Sequence, residues 1–269
     1  MQKKKRGYRF AKSVWMWLCA FGINPLEARN LLCYFGKTSR ELRELKRQNR
    51  AAGHPFPISF SMPCLGDRAD QSGAAKGHYF FQDLYVARKI FERNPTRHVD
   101  VGSRVDGFVA HVASFRTIEV FDIRPLPVSI PTIQFQQANL MELHEELHGC
   151  CDSLSCLHAL EHFGLGRYGD PIDLYGHVKG FESLSQIVKA GGMLYLSVPI
   201  GPERVDFNAC RVFNLQTILE LTKPSFTLET FSYVDDAGDF HENANLSPER
   251  IAENCGCDYG CGIFEFRKN

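Results

Sequence analysis

No apolar run in this chain reaches the ~20 residues that a membrane-crossing helix requires. The longest, VWMWLCAFGI at 14–23, is half that length. Charge of one sign is not in excess either: 31 Lys and Arg offset 31 Asp and Glu over 269 residues. The basic residues gather near the start, in a run whose only interleaved aromatics are Tyr8 and Phe10, and the rest is acidic, so no nucleic-acid partner is expected. Ten cysteines are too few for a disulfide scaffold of this length, and a reducing, cytoplasmic setting is the expectation. No G-x-G-x-x-G run occurs, which counts against a dinucleotide site. What the chain does have, 44% hydrophobic, 23% charged and 12% aromatic residues, is the composition of a folded globular body.

The neutral total conceals a division. Residues 1–60 hold 13 Lys or Arg against Glu27, Glu41 and Glu44, leaving 18 basic and 28 acidic residues for the remainder. Lys3, Lys4, Lys5, Arg6, Arg9 and Lys12 precede the apolar run, and three readings fit residues 1–23: a helix packed on a core or partner, a peripheral contact with an anionic membrane, or a signal sequence. Asn24-Pro25 reads as a stop, residues 26–50 as a basic helix, and the Pro- and Gly-rich stretch 53–78 as a connection. The expected organisation is a basic helical extension with its linker over 1–78 and an α/β domain over 79–269.

Residues 79–94 carry helical spacing, with Phe80, Leu84, Ala87, Ile90 and Phe91 on the expected apolar face and Pro95 past its end. Strand-like runs follow at 98–102, 117–123, 133–139, 152–157, 192–198, 227–234 and 260–268. Helical spacing lies between them at 106–115, 140–149, 176–190 and 214–222. This alternation predicts a doubly wound, Rossmann-like sheet of about seven strands. The last two strands lack a full crossover helix between them, so the final strand is expected to run antiparallel.

Ligands of open α/β sheets sit beyond the carboxyl ends of the strands, near the point where strand order reverses. Gly102 in Asp100-Val101-Gly102-Ser103 suits a tight turn after the first strand. Asp122 ends the second strand, where a carboxylate can accept from ribose hydroxyls or pair with Arg124. Asn139 ends the third, where its amide can meet an adenine edge or serve as a turn residue.

Together these residues resemble the class I S-adenosylmethionine-dependent methyltransferases over about residues 96–268. The resemblance implies S-adenosyl-L-methionine as cofactor, with Asp100, Gly102 and Gly107 around its methionine moiety, Asp122 on ribose and Asn139 near adenine; Ser103 and Ile123 are further cofactor contacts. Arg104 and Asp106 stand where that superfamily usually has glycines. The string GHYFFQDLYVARKIFERNPTRHVDVGSRVDGFVAHVASFRTIEVFDIRPL at 77–126, with NPL (24–26), PCL (63–65) and VDFNACRVF (205–213), is similar to domain-of-unknown-function family 268. That family is methyltransferase-like and often encoded among surface-polysaccharide genes, so a sugar of a glycan precursor is the acceptor the resemblance implies.

LHALEHFG at 157–164 supplies the catalytic candidates. His162 is the expected general base, Glu161 can orient either neighbouring imidazole, and His158 is the third member. The loop GLGRYGDPID at 164–173 has the composition of a substrate lid, and Arg204 and Arg211 are candidates for an anionic acceptor. Cys255, Cys257 and Cys261, or the two histidines with Asp170 or Asp173, offer donors in no recognised ligand spacing, and no metal is expected. Tyr175 and Lys179 have the Tyr-x-x-x-Lys spacing of a nicotinamide oxidoreductase or epimerase. A non-catalytic binding or scaffold protein with this fold is the reading from a different class.

Overall fold

The computed structural model describes residues 14–269 apart from positions 63, 70, 71, 74, 143 and 144. The basic cluster at 3–12 lies outside the described residues. The chain divides into two compact units, Met1–Gly73 and Ala74–Asn269.

In the first unit residues 14–20 are helical, and helix α1 runs from Pro25 to Ala51. Asn24-Pro25 is a start as much as a stop: the Asn24 side chain accepts from the N–H groups of Leu26 and Glu27, and Pro25 supplies the first helical position. None of the α1 residues is buried. Among the described residues no helix is long and apolar enough to cross a membrane.

The second unit opens with α2 (His78–Arg93), closed by Asn94 in the left-handed conformation. Its buried face is Gln82, Asp83, Tyr85, Val86, Ala87 and Ile90, whereas Phe80, Leu84 and Phe91 are 41%, 51% and 65% exposed. The helix is therefore rotated from the face that its apolar spacing suggested, because two polar residues are turned inward. The chain continues through β1 (His98–Val101), a π-turn (Val105–Val109) leading into α3 (Ala110–Ala113), β2 (Ile118–Asp122), β3 (Ile133–Gln137) and β4 (Cys151–Leu157). Then come α4 (Gly176–Ile187), β5 (Val188–Ile200), a short hairpin of β6 (Arg204–Asp206) and β7 (Cys210–Val212), and α5 (Leu215–Thr222). The chain ends with β8 (Phe226–Val234), β9 (Phe240–His241), α6 (Pro248–Ala252) and β10 (Gly260–Lys268). Among the described residues of 140–149 there are turns and one 3-10 turn, Glu145–Leu147, in place of the expected helix.

Eight strands form one sheet in the order β3-β2-β1-β4-β5-β10-β8-β9. The run from β3 to β5 is parallel, and β10 pairs antiparallel with both β5 and β8. The last strand is thus antiparallel as expected, and it lies inside the sheet. Alternate residues of β5 feed two cores, as the two-residue strand period requires. Leu194, Leu196 and Val198 join Leu184 and Ile218 of α4 and α5 on one face, while Met193 and Tyr195 join Tyr85, Val86, Ile90 and Phe108 on the other. Strand order reverses between β1 and β4, so a crevice opens beyond their carboxyl ends.

Candidate functional site

A cavity of about 410 Å³ occupies that crevice, within the range of small-molecule sites. It is walled by Gly102 to Asp106 after β1, by Asp122 to Leu126 after β2, by Ala138 to Met141 after β3, and by Leu157, His158, Ala159 and His162 after β4. Tyr79, Gln82 and Asp83 of α2 and Arg167, Tyr168 and Asp170 of the following loop complete it.

Of the expected cofactor residues, Gly102, Ser103, Asp122, Ile123 and Asn139 line the cavity, whereas Asp100 and Gly107 do not. Asp100 is fully buried on β1 and accepts from Ser103 N at 3.0 Å, Ser103 Oγ at 2.8 Å and Ser155 Oγ at 2.6 Å. It fastens the turn from behind instead of facing a ligand. Burial outweighs these hydrogen bonds and pushes its carboxyl up to about 7. Gly107 faces α2, where an added Cβ would stand 2.9 Å from Asp83 Oδ2. Gly102 is needed for two reasons: its φ is +74°, and a Cβ there would lie 2.8 Å from Ala159 Cβ.

Asp122 is held by its neighbour. Arg124 donates to the carboxylate through its backbone N at 2.8 Å, its Nε at 3.0 and 3.2 Å and its Nη2, and also to the Gly102 carbonyl at 3.3 Å. The guanidinium lies 4.5 Å from the Tyr168 ring centre. Asn139 Oδ1 accepts from Met141 N at 3.1 Å, so the residue serves as a turn and lines the cavity at once.

On the β4 side, His158 has φ +50°, a left-handed conformation uncommon outside glycine, fixed where its N–H donates to Ser197 O at 3.0 Å and Ser197 Oγ at 3.2 Å. Its Nδ1 meets Glu161 Oε1 at 2.6 Å. Glu161 lies behind the cavity wall, and its Oε1 is 3.8 Å from His162 Nε2, so it orients His158 and only neighbours His162. His162 instead rests edge-on against the Tyr168 ring, 5.4 Å between centres. Burial, with Arg167, holds His162 below its usual pKa against the opposing pull of Glu161. His158 Nε2, Glu161 Oε2 and His162 Nδ1 are all buried without a hydrogen-bond partner.

The loop at 164–173 is tied down by Asp170, which accepts from Gly164 N, Gly166 N and Tyr168 N. Arg211 is buried and spent on four backbone carbonyls, those of Glu161, Phe163, Asp173 and Leu174. Arg204 donates to the carbonyls of Pro202 and Asp258. Neither arginine is placed for an acceptor, correcting that expectation. Tyr175 and Lys179 lie outside the cavity, with Lys179 on Asp173 at 2.6 Å. All ten cysteines are free thiols.

The model of a family described as "Caenorhabditis protein of unknown function, DUF268" matches residues 129–250. The chain is similar to that family over this segment, a little under half of its length. Its fold is methyltransferase-like, as the strand order above and the structural comparisons agree. The [4+2]-cyclase SpnF superposes with a TM-score of 0.51 at 14% identity, covering 82% of this chain and 91% of its own. The 1,6-didemethyltoxoflavin-N1-methyltransferase of Burkholderia thailandensis, crystallised with S-adenosylhomocysteine, gives 0.48 at 14% identity over 87% and 90%. The N-methyltransferase NodS of Bradyrhizobium japonicum WM9, also with S-adenosylhomocysteine, gives 0.47 at 11% identity over 71% and 88%. No curated protein matches the sequence.

The residues missed in the sequence are Tyr79, Gln82, Asp83, Arg124 and Tyr168. Gln82-Asp83 had a usable signal, a polar pair inside an otherwise apolar helical period. Arg124 was visible only as a partner for Asp122.

Proposed function

We propose that this protein is an S-adenosylmethionine-dependent methyltransferase acting on a small polar acceptor, with a sugar hydroxyl or amine of a glycan precursor as the acceptor class. The observation that carries the reading is the cavity at the switch point between β1 and β4, bounded by Gly102, Asp122, Asn139 and His162. The residues present fit the cofactor: the missing Cβ of Gly102 leaves room beside Ala159, and Asp122 offers a carboxylate at a strand end. Gly102, Ser103, Asp122, Ile123 and Asn139 would hold it. S-adenosylmethionine, when bound, supplies a methyl group on a sulfonium, open to in-line displacement.

The protein's part is orientation and proton removal. His162, kept neutral by burial and unpartnered at Nδ1, takes the acceptor proton, and Tyr168 fixes its ring. Glu161 acts as a positioning residue through His158. A contact of residues 1–23 with an anionic membrane belongs to the same reading, since a lipid-linked saccharide would be met there; Met16, Trp17 and Phe21 are exposed.

Calorimetric titration with S-adenosylhomocysteine, beside an Asp122→Ala variant and with NAD as control ligand, tests the cofactor pocket. Micromolar binding, about −8 kcal/mol, that falls at least tenfold in the variant is expected. A second reading, a non-catalytic binding protein, is favoured by one observation, the Arg124 guanidinium lodged on Asp122. Absence of binding at millimolar concentration would decide for it.

A further inference from the structure

Among the described residues, a cluster of metal-ligating side chains that methyl transfer does not require lies where α2, β4 and β10 meet. His78 opens α2, His158 follows β4 and Cys261 stands near the start of β10. One donor atom from each lies within 4.8 Å of the other two, with Cys261 and His158 buried and His78 half-buried. Zinc bonded to nitrogen at about 2.1 Å and sulfur at about 2.3 Å needs tetrahedral donors roughly 3.3–3.7 Å apart. Side-chain adjustments of the order of an ångström therefore close the set.

Three further features prepare the site. His158 Nδ1 is committed to Glu161 Oε1 at 2.6 Å, which leaves Nε2 as the donor atom, and that Nε2 is buried without a hydrogen-bond partner. A carboxylate behind a histidine in this way is the usual support of a metal-bound imidazole, fixing its tautomer and its aim. His78 and His158 stack face to face, 5.2 Å between centres and 4° apart, while Tyr259 packs on the outer face of His78. The left-handed φ of His158 is a local strain that the Ser197 hydrogen bonds maintain, consistent with a side chain held for a ligand.

We propose that His78, His158 Nε2 and Cys261 Sγ bind a tetrahedral divalent cation, zinc by donor chemistry. Two imidazoles and a thiolate suit zinc and exclude magnesium and calcium, which take oxygen donors. The thiol proton passes to solvent as the sulfur–metal bond forms. Three protein ligands leave one tetrahedral position for water or an acceptor atom, and of the three only His158 lines the cavity, so the ion would sit in the cavity wall. A Cys–His–carboxylate line is also the wiring of a thiol nucleophile. Cys261, however, is completely buried and outside the cavity, where no substrate reaches it; a metal ligand needs no such access. The inference stands whether or not the protein transfers methyl groups.

The test uses the full chain, stripped with chelator and titrated with Zn²⁺ against a chromophoric competitor, then with Co²⁺ for its spectrum. Expected are one ion per chain, a thiolate-to-cobalt charge-transfer band and visible bands of tetrahedral intensity. Cys261→Ser should remove the charge-transfer band and His78→Gln should weaken zinc at least 100-fold. Glu161→Gln should weaken it 10- to 100-fold, the effect of losing a ligand's support. Cys255→Ser should retain it. His78 is half-exposed, so His78→Gln is the variant that keeps the fold, checked by circular dichroism. Failure of the wild-type protein to bind Zn²⁺ below 10 μM, zinc unaffected by both His78→Gln and Cys261→Ser, or alkylation of Cys261 that is as fast with saturating zinc as without it would each overturn the proposal.

Discussion

The two walls of the cavity are built on opposite principles. On the β1–β3 side three groups are answered from within the protein: Asp100 by Ser103 and Ser155, Asp122 by Arg124, and the Asn139 side-chain oxygen by Met141 N. On the β4 side three buried polar atoms, on His158, Glu161 and His162, have no hydrogen-bond partner. A buried polar atom without a partner costs about 1–3 kcal/mol, so a protein carrying three of them close together holds a site made for something else. The satisfied wall gives shape, and in the proposed reading the unsatisfied wall supplies the reactive groups.

The comparison is broken most forcefully at His162. Replacement by Asn should lower single-turnover methyl transfer to a responsive glycan precursor by about 10²- to 10⁴-fold, as expected for a general base, with S-adenosylhomocysteine affinity within threefold. Because burial keeps this imidazole below its usual pKa, the wild-type rate should stay level as pH falls through ~6.5 and drop only below that. A wild-type limb centred at or above 7, or an Asn variant of undiminished rate, would remove His162 from the chemistry.

The next effect belongs to Asp100. Burial lifts its carboxyl to about 7 in the fold, well above the roughly 4 of a solvated aspartate. Between those values the native protein holds a proton that the unfolded chain has released, so stability falls as pH rises from about 4 to about 7 and levels off above. Asp100→Asn keeps the shape, since its oxygen can accept from Ser103 N and its NH₂ can donate to the two hydroxyls. Urea unfolding at several pH values should show this slope, a few kcal/mol in all, flattened in the variant. An unchanged slope would mean that Asp100 is ionised throughout.

Gly102→Ala tests shape alone. A positive φ with an added Cβ close to Ala159 should cost roughly 2 kcal/mol and weaken S-adenosylhomocysteine at least tenfold, read by thermal unfolding and calorimetry. Full affinity in this variant would place the ligand elsewhere in the cavity.

How much of this was legible beforehand follows the same division. The sheet was readable because β-branched and aromatic runs alternate with helical spacing along the chain: 260–268 was bounded correctly, and Gly102, Asp122 and Asn139 could be placed at or just past strand ends from the sequence. Short elements, β6, β7 and β9, carry too few residues to show a period. Residues 79–94 announced a helix correctly but not its face, since Phe80 and Leu84 are exposed while Gln82 is buried with its Oε1 accepting from Ser197 Oγ at 2.5 Å. Strand ends say where a side chain is, not whether it points into a cavity or behind its wall, hence the misplacing of Asp100. His78 and Cys261 reach His158 only through the sheet, and no local spacing joins residues so far apart in the chain.

The smallest expected effect concerns the ion pair that most closely ties the satisfied wall to a ligand. Arg124 occupies both oxygens of Asp122 and leans on Tyr168. A cofactor ribose approaching Asp122 must share that carboxylate with the guanidinium or displace it. If displacement is required, Arg124→Ala frees the acceptor and S-adenosylhomocysteine should bind a few-fold more tightly, a gain under ~1 kcal/mol as for other partly exposed pairs. If Arg124 instead aims the carboxylate, the same variant weakens binding by a similar factor and Arg124→Lys, which cannot form the two-pronged contact, does not restore it. The sign of a small change therefore distinguishes a wall completed by its ligand from one already complete without it.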